Sequence, residues 1–142
     1  MEIFNILVIC TGNSCRSQIT EGYLKFFKKK LNLSANIYSA GVRAEGVNKK
    51  AIEIMSRDNI DISDHSSNTI DEYLDKDITH VITVCDHAHE SCPIFLKKTH
   101  FIHHNFEDPS KFSGSEREIE EAFLKCRDEI KKFSKQYLKK HF

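Results

Sequence analysis

Four short apolar runs occur along the chain, and each has the length of a β-strand. Ile3 to Ile9 is almost continuously apolar, which is typical of a strand that is buried on both faces. The other three runs are Asn36 to Ala40, Thr79 to Val84 and Thr99 to His103. No internal repeat or low-complexity linker separates them.

Between and after these runs, apolar residues recur at the three- and four-residue spacing of helices that bury one face. This spacing predicts a helix after the first run, a second helix over Val47 to Arg57, and a last helix over Ser115 to Leu138. The last helix opens with Ser115-x-x-Glu118, the pattern of a capping box. The apolar positions are, in order, Ile19, Tyr23, Phe26 and Phe27; Ala51, Ile54 and Met55; and Ile119, Ala122, Phe123, Cys126, Ile130, Phe133 and Tyr137.

Strands that alternate with helices predict an α/β fold, a single domain over residues 1–142 in which helices cover both faces of a parallel sheet. Ligands bind such sheets at the carboxyl ends of the strands. Cys10 directly follows the first strand and Cys85 directly follows the third. We therefore expect both thiols at the same edge of the sheet.

Charge and composition narrow the possible partners. The 142 residues include 21 basic and 21 acidic side chains, which cancel, so the chain lacks the field that nucleic acid or an anionic membrane would require. No run approaches the roughly 20 apolar residues of a membrane span, and none has the form of a signal peptide. Five cysteines at irregular spacing argue for reduced thiols rather than a secreted disulfide framework. We expect a cytoplasmic protein, most simply a monomer.

The loop after the first strand combines a thiol, five residues and an arginine. Its backbone N–H groups and the start of the following helix can surround a tetrahedral oxyanion, and Arg16 can close the far side. Gly12 and Asn13 tolerate the left-handed backbone that a tight cradle needs. Thiols at helix N-termini or beside arginine have a pKa of roughly 3.5 to 7.5, so we predict that Cys10 is ionised and nucleophilic. The predicted oxyanion-binding residues are Thr11, Gly12, Asn13, Ser14, Cys15, Arg16 and Ser17.

Asp108-Pro109 follows the fourth run and is, taken alone, an everyday turn dipeptide. A parallel sheet would bring this loop to the edge that holds Cys10. A thiolate that attacks an oxyanion needs a carboxyl group nearby to protonate the departing oxygen, and Asp108 is the candidate for that general acid.

Cys85 and Cys92 flank the segment Asp86-His87-Ala88-His89-Glu90-Ser91 after the third run. Two buried thiols, or half of a zinc site with His87 and His89, are the alternatives to a redox pair; zinc sites usually contain closer Cys-x2-Cys pairs. If residues 86–91 form a helix, the seven-residue separation is about 10.5 Å. A disulfide needs Cα atoms about 5.5 to 6 Å apart, so this pair can join only if the segment unwinds.

The remaining thiols and basic groups receive no catalytic role. We expect the Cys15 side chain to point away from the anion and Cys126 to lie in the core. The other residues without a role are His100, His103 and His104, expected to be exposed or hydrogen-bonded, and Lys28-Lys29-Lys30, expected at a solvated helix end.

Together these motifs resemble those of thioredoxin-coupled arsenate reductases, which are built on the low-molecular-weight protein tyrosine phosphatase fold. The resemblance covers the whole chain in order, and it implies a four-stranded parallel sheet flanked by helices on both faces, with arsenate as substrate and thioredoxin as reductant. It also implies that Cys10 is the nucleophile, Arg16 the oxyanion clamp, Cys85 and Cys92 the redox pair, and Asp108 the acid. The motifs are Cys10 to Ser17, Gln18 to Gly22, Tyr38-Ser39-Ala40-Gly41, Gly46-Val47-Asn48, Ile60-Asp61-Ile62-Ser63, Cys85 with Cys92, and Asp108-Pro109.

Some members of this family hold a potassium ion near the cradle. The residues involved match Asn13, Glu21, Ser39 and an aspartate at position 68. Position 68 is Asn68 in this chain, which removes one charge from that set. We predict no metal ion and no organic cofactor.

Two other functions would use parts of the same chemistry. A tyrosine or small-phosphoester phosphatase needs Cys10, Arg16 and Asp108 but no dithiol, because ester hydrolysis is redox-neutral whereas arsenate reduction consumes two electrons. A non-enzymatic oxyanion or metal sensor would use the thiols and histidines only as ligands. For the reductant, glutathione with glutaredoxin is the main alternative, although a third cysteine within the chain favours thioredoxin.

Overall fold

A four-stranded parallel sheet forms the centre of the fold in a computed structural model that describes residues 3–142, apart from the side chains of residues 94 and 95. The strands lie in the order β2-β1-β3-β4, and every neighbouring pair is parallel. This confirms the predicted α/β class. The strands are β1 (Phe4–Cys10), β2 (Ala35–Gly41), β3 (His80–Thr83) and β4 (His100–His103).

Helices connect the strands in the described part of the chain. The three predicted long helices are present, and residues 86–91 are helical as well. A short helix before β4 and two 3-10 turns, Ile70–Tyr73 and Pro109–Lys111, were not predicted. The helices are α1 (Arg16–Lys30), α2 (Lys49–Arg57), α3 (Asp86–Ser91), α4 (Ile94–Lys97) and α5 (Glu116–His141).

Capping side chains set two of the helix boundaries. The Asn48 side chain accepts a hydrogen bond from Ala51 N at 3.0 Å, so α2 begins at Lys49 rather than at the predicted Val47. The predicted capping box is confirmed, because Ser115 Oγ accepts from Glu118 N at 3.2 Å and Glu118 Oε1 accepts from Ser115 N at 3.1 Å. α5 then continues past the predicted end to His141.

The core surrounds the central strand. Residues Ile6 to Ile9 are all 0% exposed, and because successive side chains of a strand point to opposite faces, both faces of β1 are covered. α1 and α3 both contact β1, while α5 packs along α1 and also contacts α2.

One predicted inward residue of α1 is wrong. Phe26 is 40% exposed, whereas Leu24 is fully buried and Phe27 nearly so. The rings of Phe26 and Phe27 meet edge to face with their centroids 5.1 Å apart. Phe26 therefore covers the flank of the buried face instead of entering it.

The parallel register brings the chemically interesting ends of the strands together. Cys10 at the end of β1 lies opposite Gly41 of β2, and Thr83 of β3 lies between Ile9 of β1 and His103 of β4. The loops that follow these residues therefore share one edge of the sheet. No helix in the described residues is both long enough and apolar enough to cross a membrane.

Candidate active site

The loop between β1 and α1, residues 10–17, is fixed by hydrogen bonds that its backbone carbonyl groups accept from a neighbouring segment. Four of them accept backbone hydrogen bonds of 2.9 to 3.3 Å from the segment that follows β2. By contrast, none of the backbone N–H groups from Thr11 to Cys15 has a protein acceptor in the described part of the chain. The loop thus has a row of free donors, as an anion cradle requires. In the four bonds to the loop carbonyls, the backbone N–H donates from Val42 to Cys10, from Arg43 to Thr11, from Glu45 to Gly12 and from Asn48 to Ser14.

Asn13 fixes the shape of this cradle loop. Its φ of 46° lies in the left-handed region, and its side chain is fully buried. The amide nitrogen donates to Ser17 Oγ at 2.8 Å and to Ser39 Oγ at 2.9 Å, while Oδ1 accepts from Asn68 N at 2.7 Å. Asn13 therefore adopts the left-handed backbone expected at this loop.

Gly12 has a different role from the one predicted. It does not adopt a positive φ. A Cβ at this position would instead collide with the carboxylate of Glu45. The glycine thus leaves room for the end of the flexible Glu45 side chain, and the backbone turn does not require it.

Cys10 lies at the base of the cradle beside the start of α1. Its side chain is only 3% exposed, and its Sγ lies 2.9 Å from Ser17 Oγ in the first turn of the helix. The N-cap residue Cys15 makes no side-chain capping bond, and the first turn of α1 contains no acidic residue. The positive end of the helix dipole is therefore free to act on the thiol and on a bound anion.

Arg16 is anchored by the loop that carries Asp108. Arg16 Nη1 donates to the carbonyl of Phe106 at 2.9 Å, and Nη2 lies 3.4 Å from Asp108 Oδ2. Both side chains are largely buried, at 10% and 19% exposure. The sequence thus correctly predicted that Asp108 and Arg16 lie at one site.

Asp108 also caps the turn that the dipeptide Asp108-Pro109 suggested. Its Oδ1 accepts hydrogen bonds from Ser110 N at 3.0 Å and Ser110 Oγ at 2.6 Å, and it caps the 3-10 turn at Pro109–Lys111. Because Oδ1 is occupied by the turn, Oδ2 is the oxygen that faces Arg16. The turn therefore orients one carboxylate oxygen toward the cradle.

The cradle opens into a cavity of about 230 Å³. Arg43, Glu45, Ser110 and Lys111 line this cavity but were not predicted from the sequence. A signal for two of them existed, since Arg43 and Glu45 follow β2 at the same edge of the sheet. The predicted residues in the lining are Cys10, Thr11, Gly12, Ser14, Cys15, Arg16 and Asp108.

Cys85 lies beside the cradle, at the start of α3. Its Sγ is 3.3 Å from Thr11 Oγ1 and accepts a hydrogen bond from Ala88 N at 3.4 Å. The thiol is 3% exposed. Cys85 therefore adjoins the residue that directly follows Cys10.

Cys92 lies at the other end of α3 and is also buried, at 5% exposure. Burial raises the pKa of the Cys92 thiol. Both cysteines are free. With α3 helical between them, Cys92 is kept protonated and about 10.5 Å along the helix axis from Cys85.

Cys15 and Cys126 are buried thiols of another kind. Burial, with Cys126 close by, raises the pKa of Cys15 well above its ordinary value. Burial likewise raises the pKa of Cys126 to about 12. Neither group is therefore a nucleophilic thiolate at neutral pH.

Three of the four residues that match a potassium site lie together, since the Asn13 amide donates to Ser39 Oγ at 2.9 Å and Ser39 Oγ donates to the Glu21 carboxylate. The Asn68 amide donates to Glu72 Oε1 at 3.0 Å and its Oδ1 accepts from Ser66 Oγ, so the side chain is taken up by its own turn. The Glu21 carboxylate already pairs with Lys25 Nζ. Within residues 3–142, as far as side chains are described, no cluster of three histidine, cysteine or acidic groups could hold a metal ion.

Curated relatives of this chain are arsenate reductases. The one from Halalkalibacterium halodurans is 42% identical over 127 residues, which cover 89% of this chain and 89% of the relative. Arsenate reductase 2 of Staphylococcus saprophyticus is 42% identical over 137 residues, 96% of this chain and 98% of the relative.

Solved structures show the same architecture. An arsenate reductase in its phosphate-binding state superposes with a TM-score of 0.81 at 27% identity, covering 96% of this chain and 98% of the other. The family model for low molecular weight phosphotyrosine protein phosphatase matches residues 5–141. This chain therefore belongs to the low molecular weight phosphotyrosine protein phosphatase family.

Proposed function

We propose that the protein reduces arsenate to arsenite with Cys10 as nucleophile and Cys85 and Cys92 as an internal dithiol. One observation carries the proposal: Cys85 Sγ lies 3.3 Å from Thr11 in the cradle, while Cys92 is buried at the far end of α3. Three thiols thus follow one another outward from the oxyanion site. The names of the curated relatives support the same activity.

In the first step, arsenate occupies the cradle, and its oxygens accept hydrogen bonds from the free N–H groups of the loop and from Arg16. The Cys10 thiolate attacks arsenic, forming an arsenic–sulfur bond, and one arsenic–oxygen bond breaks. Asp108 protonates the departing oxygen, which leaves as water. The arsenic is still pentavalent after this exchange.

In the second step, the Cys85 thiolate attacks Cys10 sulfur. A Cys10–Cys85 disulfide forms, the arsenic–sulfur bond breaks, and its electron pair stays on arsenic. Arsenite leaves with two electrons that came from two thiols. The position of Cys85 beside Thr11, the residue that follows Cys10, supports this attack.

In the third step, the Cys92 thiolate attacks Cys85, giving a Cys85–Cys92 disulfide and returning Cys10 to the thiolate form. The helical separation of these residues forbids the bond, so α3 must unwind first. Unwinding would also remove Cys92 from the burial that raises its pKa. The unwound segment presents the disulfide to an external dithiol, for which thioredoxin is our candidate and glutaredoxin the alternative.

The setting of the protein follows from this chemistry. All five cysteines are free and buried, and the cycle needs a reducing compartment, so we place the protein in the cytoplasm. We also propose that residues 1–142 act as one domain and as a monomer. Every proposed reacting group belongs to one chain, from the cradle loop, the loop that carries Asp108 and the two ends of α3, so no second copy is needed.

A phosphatase activity is the second candidate. The family is named for it, and Cys10, Arg16 and Asp108 form the groups that phosphoester hydrolysis needs. Cys85 and Cys92 have no role in that reaction. A sensor that only binds an oxyanion would show stoichiometric binding without turnover.

One assay separates the three functions. Arsenate is added with thioredoxin, thioredoxin reductase and NADPH, and loss of NADPH is followed for the wild type and for Cys85→Ser. We expect NADPH loss in the wild type and none in the variant, with Cys126→Ser, a buried thiol outside the cascade, close to wild type. No NADPH loss in the wild type refutes the reductase, and phosphate release from an aryl phosphate in both proteins then identifies the phosphatase.

The order of the thiols is tested with Cys92→Ser. This variant should release one arsenite per protein and then stop with a Cys10–Cys85 disulfide, which peptide mass spectrometry detects. Sustained thioredoxin-dependent turnover by the variant would contradict the cascade.

A further inference from the structure

α3 cannot owe its structure to its own sequence. It has six residues, and isolated helices shorter than about 12 to 15 residues are marginal in water. Contacts with the rest of the fold must therefore hold it in place. Whatever those contacts are, they also decide how readily Cys85 and Cys92 come together.

The first residue of α3 is tied to β4 by a histidine. Asp86 Oδ1 lies 2.7 Å from His103 Nε2, and His103 Nδ1 lies 2.8 Å from Thr83 Oγ1. Both bonds fit one neutral tautomer, in which Nε2–H donates to Asp86 and the Thr83 hydroxyl donates to Nδ1. Thr83 and His103 are register partners on β3 and β4, so the sheet itself aims the imidazole at α3.

Two further contacts join α3 to the same strand and the loop after it. The ring of His89 packs against the ring of His103 with centroids 4.4 Å apart. The backbone N–H of Asp86 donates to Asn105 Oδ1 at 3.2 Å. His103 therefore contacts α3 at both its first and its fourth residue, one turn apart.

Holding α3 against the sheet also costs free energy, because it buries a polar atom without a partner in the described structure. His89 Nδ1 is buried and has no hydrogen-bond partner in the described structure. A buried polar atom without a partner costs free energy, and unwinding would return this nitrogen to water. The contacts of His103 and Asn105 thus help to hold the helix in place against this cost in free energy.

We infer that His103 is a positioning residue for the disulfide relay: it latches α3 to β4, so that Cys85 stays beside the cradle and Cys92 stays buried until the helix unwinds. This role rests on the proposed function, because only a thiol relay requires the helix to open. In the third step the Cys10–Cys85 disulfide is exchanged for a Cys85–Cys92 disulfide within the chain. Neither this exchange nor the opening of α3 consumes electrons. His103 acts through the geometry of α3 and touches no reacting atom.

The latch is tested in the reduced protein without arsenate. Labelling of Cys92 by iodoacetamide and amide hydrogen exchange of residues 86–91 are compared in the wild type and in His103→Asn. Asparagine is too short to reach Asp86 from β4 and has no ring to pack on His89. We expect both rates to rise about tenfold, the effect of losing one hydrogen bond to a charged group. His100→Asn, at the opposite end of β4 where the ring stacks on His80, is the matched control and should leave both rates unchanged.

A double-mutant cycle separates a latch from general damage to the fold. Asp86→Ala should also speed labelling of Cys92, and the double variant with His103→Asn should label no faster than the quicker single variant. Asp86→Asn keeps an acceptor for His103 and should restore slow labelling. Additive effects, or unchanged rates in His103→Asn, overturn the latch.

A functional measurement links the latch to the relay. In single-turnover quench experiments with arsenate, His103→Asn should transfer the disulfide from Cys10–Cys85 to Cys85–Cys92 faster than the wild type. An unchanged transfer rate beside faster labelling overturns the role of His103 in the reaction. If the wild type forms no disulfide with arsenate, the proposed function fails, while labelling and exchange still decide whether the latch exists.

Discussion

The cradle loop and α3 leave neighbouring strands at the same edge of the sheet, yet they are held in opposite ways. The cradle is fixed by backbone bonds from the segment after β2 and by the fully buried amide of Asn13. α3 is held in part through Asp86, whose side chain is 74% exposed, and it buries a nitrogen of His89 that has no hydrogen-bond partner among the described residues. The contacts thus favour a cradle loop that stays fixed and an α3 that can be released from the sheet.

This difference matches the chemistry that we propose for each region. Stabilising a charged adduct requires donors that are already oriented before the reaction, because reorganising them would cost free energy at the moment of attack. Moving a disulfide requires a segment with a low local free energy of unfolding. A rigid loop could not bring Cys92 to Cys85, and a mobile loop could not hold arsenate.

The largest expected effect is in the rigid region, at Arg16. Arg16→Lys removes the guanidinium group, whose two terminal nitrogens donate to the Phe106 carbonyl and pair with Asp108 at the same time. We expect kcat/KM for arsenate to fall by about 10²- to 10³-fold, as for loss of one donor to a developing oxyanion. Steady-state NADPH kinetics measure this. Arg127→Lys is the control, since Arg127 also donates to a backbone carbonyl, that of Ile54, and should stay within about twofold of wild type.

Gly41→Ala tests the backbone packing that supports the cradle loop rather than the reacting groups of the loop. An alanine Cβ would lie 2.6 Å from Asn13 N and 2.8 Å from Thr11 O and would also collide with Arg43 O, all of them backbone atoms. The loop must shift, so we expect a loss of roughly 10²-fold in kcat/KM and of about 1 to 3 kcal/mol in the free energy of unfolding. Urea denaturation and NADPH kinetics measure the two losses. Gly114→Ala meets only side chains and should change neither; equal losses in both variants would contradict the argument.

The same contrast explains how much the sequence could predict. The cradle is one continuous stretch between a strand and a helix, so its thiol, its arginine and the left-handed Asn13 follow from local patterns. The strands and the three long helices follow from their apolar spacing. The parallel sheet then predicts correctly that Cys85 and Asp108 reach the edge where Cys10 lies.

Contacts that depend on register were not predictable. The latch needs Thr83 opposite His103, but β3 and β4 have only four residues each, and such short runs do not define their pairing. For the same reason Glu45 was missed, because its position over Gly12 depends on how the segment after β2 docks on the cradle. Phe26 was misplaced because the packing of α1 against β1, β2 and α5 together, which spacing alone does not reveal, decides which face of α1 is buried.

Ala88→Gly should weaken α3 without touching the cradle. Ala88 is fully buried in the middle of this helix, and glycine there costs about 1 kcal/mol of helix stability, enough for about five times more opening. Labelling of Cys92 by iodoacetamide should rise by that factor, while single-turnover formation of the arsenate adduct stays unchanged. Ala51→Gly, at a fully buried position of α2, should leave Cys92 labelling at the wild-type rate. A slower first step in Ala88→Gly would show that the two regions are not separable.

The smallest expected effect tests whether the rigid region is fully optimised for an anion. Glu45 lines the cavity and is about half exposed, at 53%, and its partner Arg43 is 3.9 Å away, so a negative charge stands at the mouth of an oxyanion site. Glu45→Gln removes this repulsion, and we expect KM for arsenate to fall about two- to threefold in low salt. The gain should vanish near 1 M salt, where charges are screened within about 3 Å. Glu53→Gln, a comparably exposed carboxylate on α2, should leave KM unchanged at either salt concentration. A fall in KM that persists in high salt would assign the effect of Glu45 to its packing over Gly12 instead of its charge.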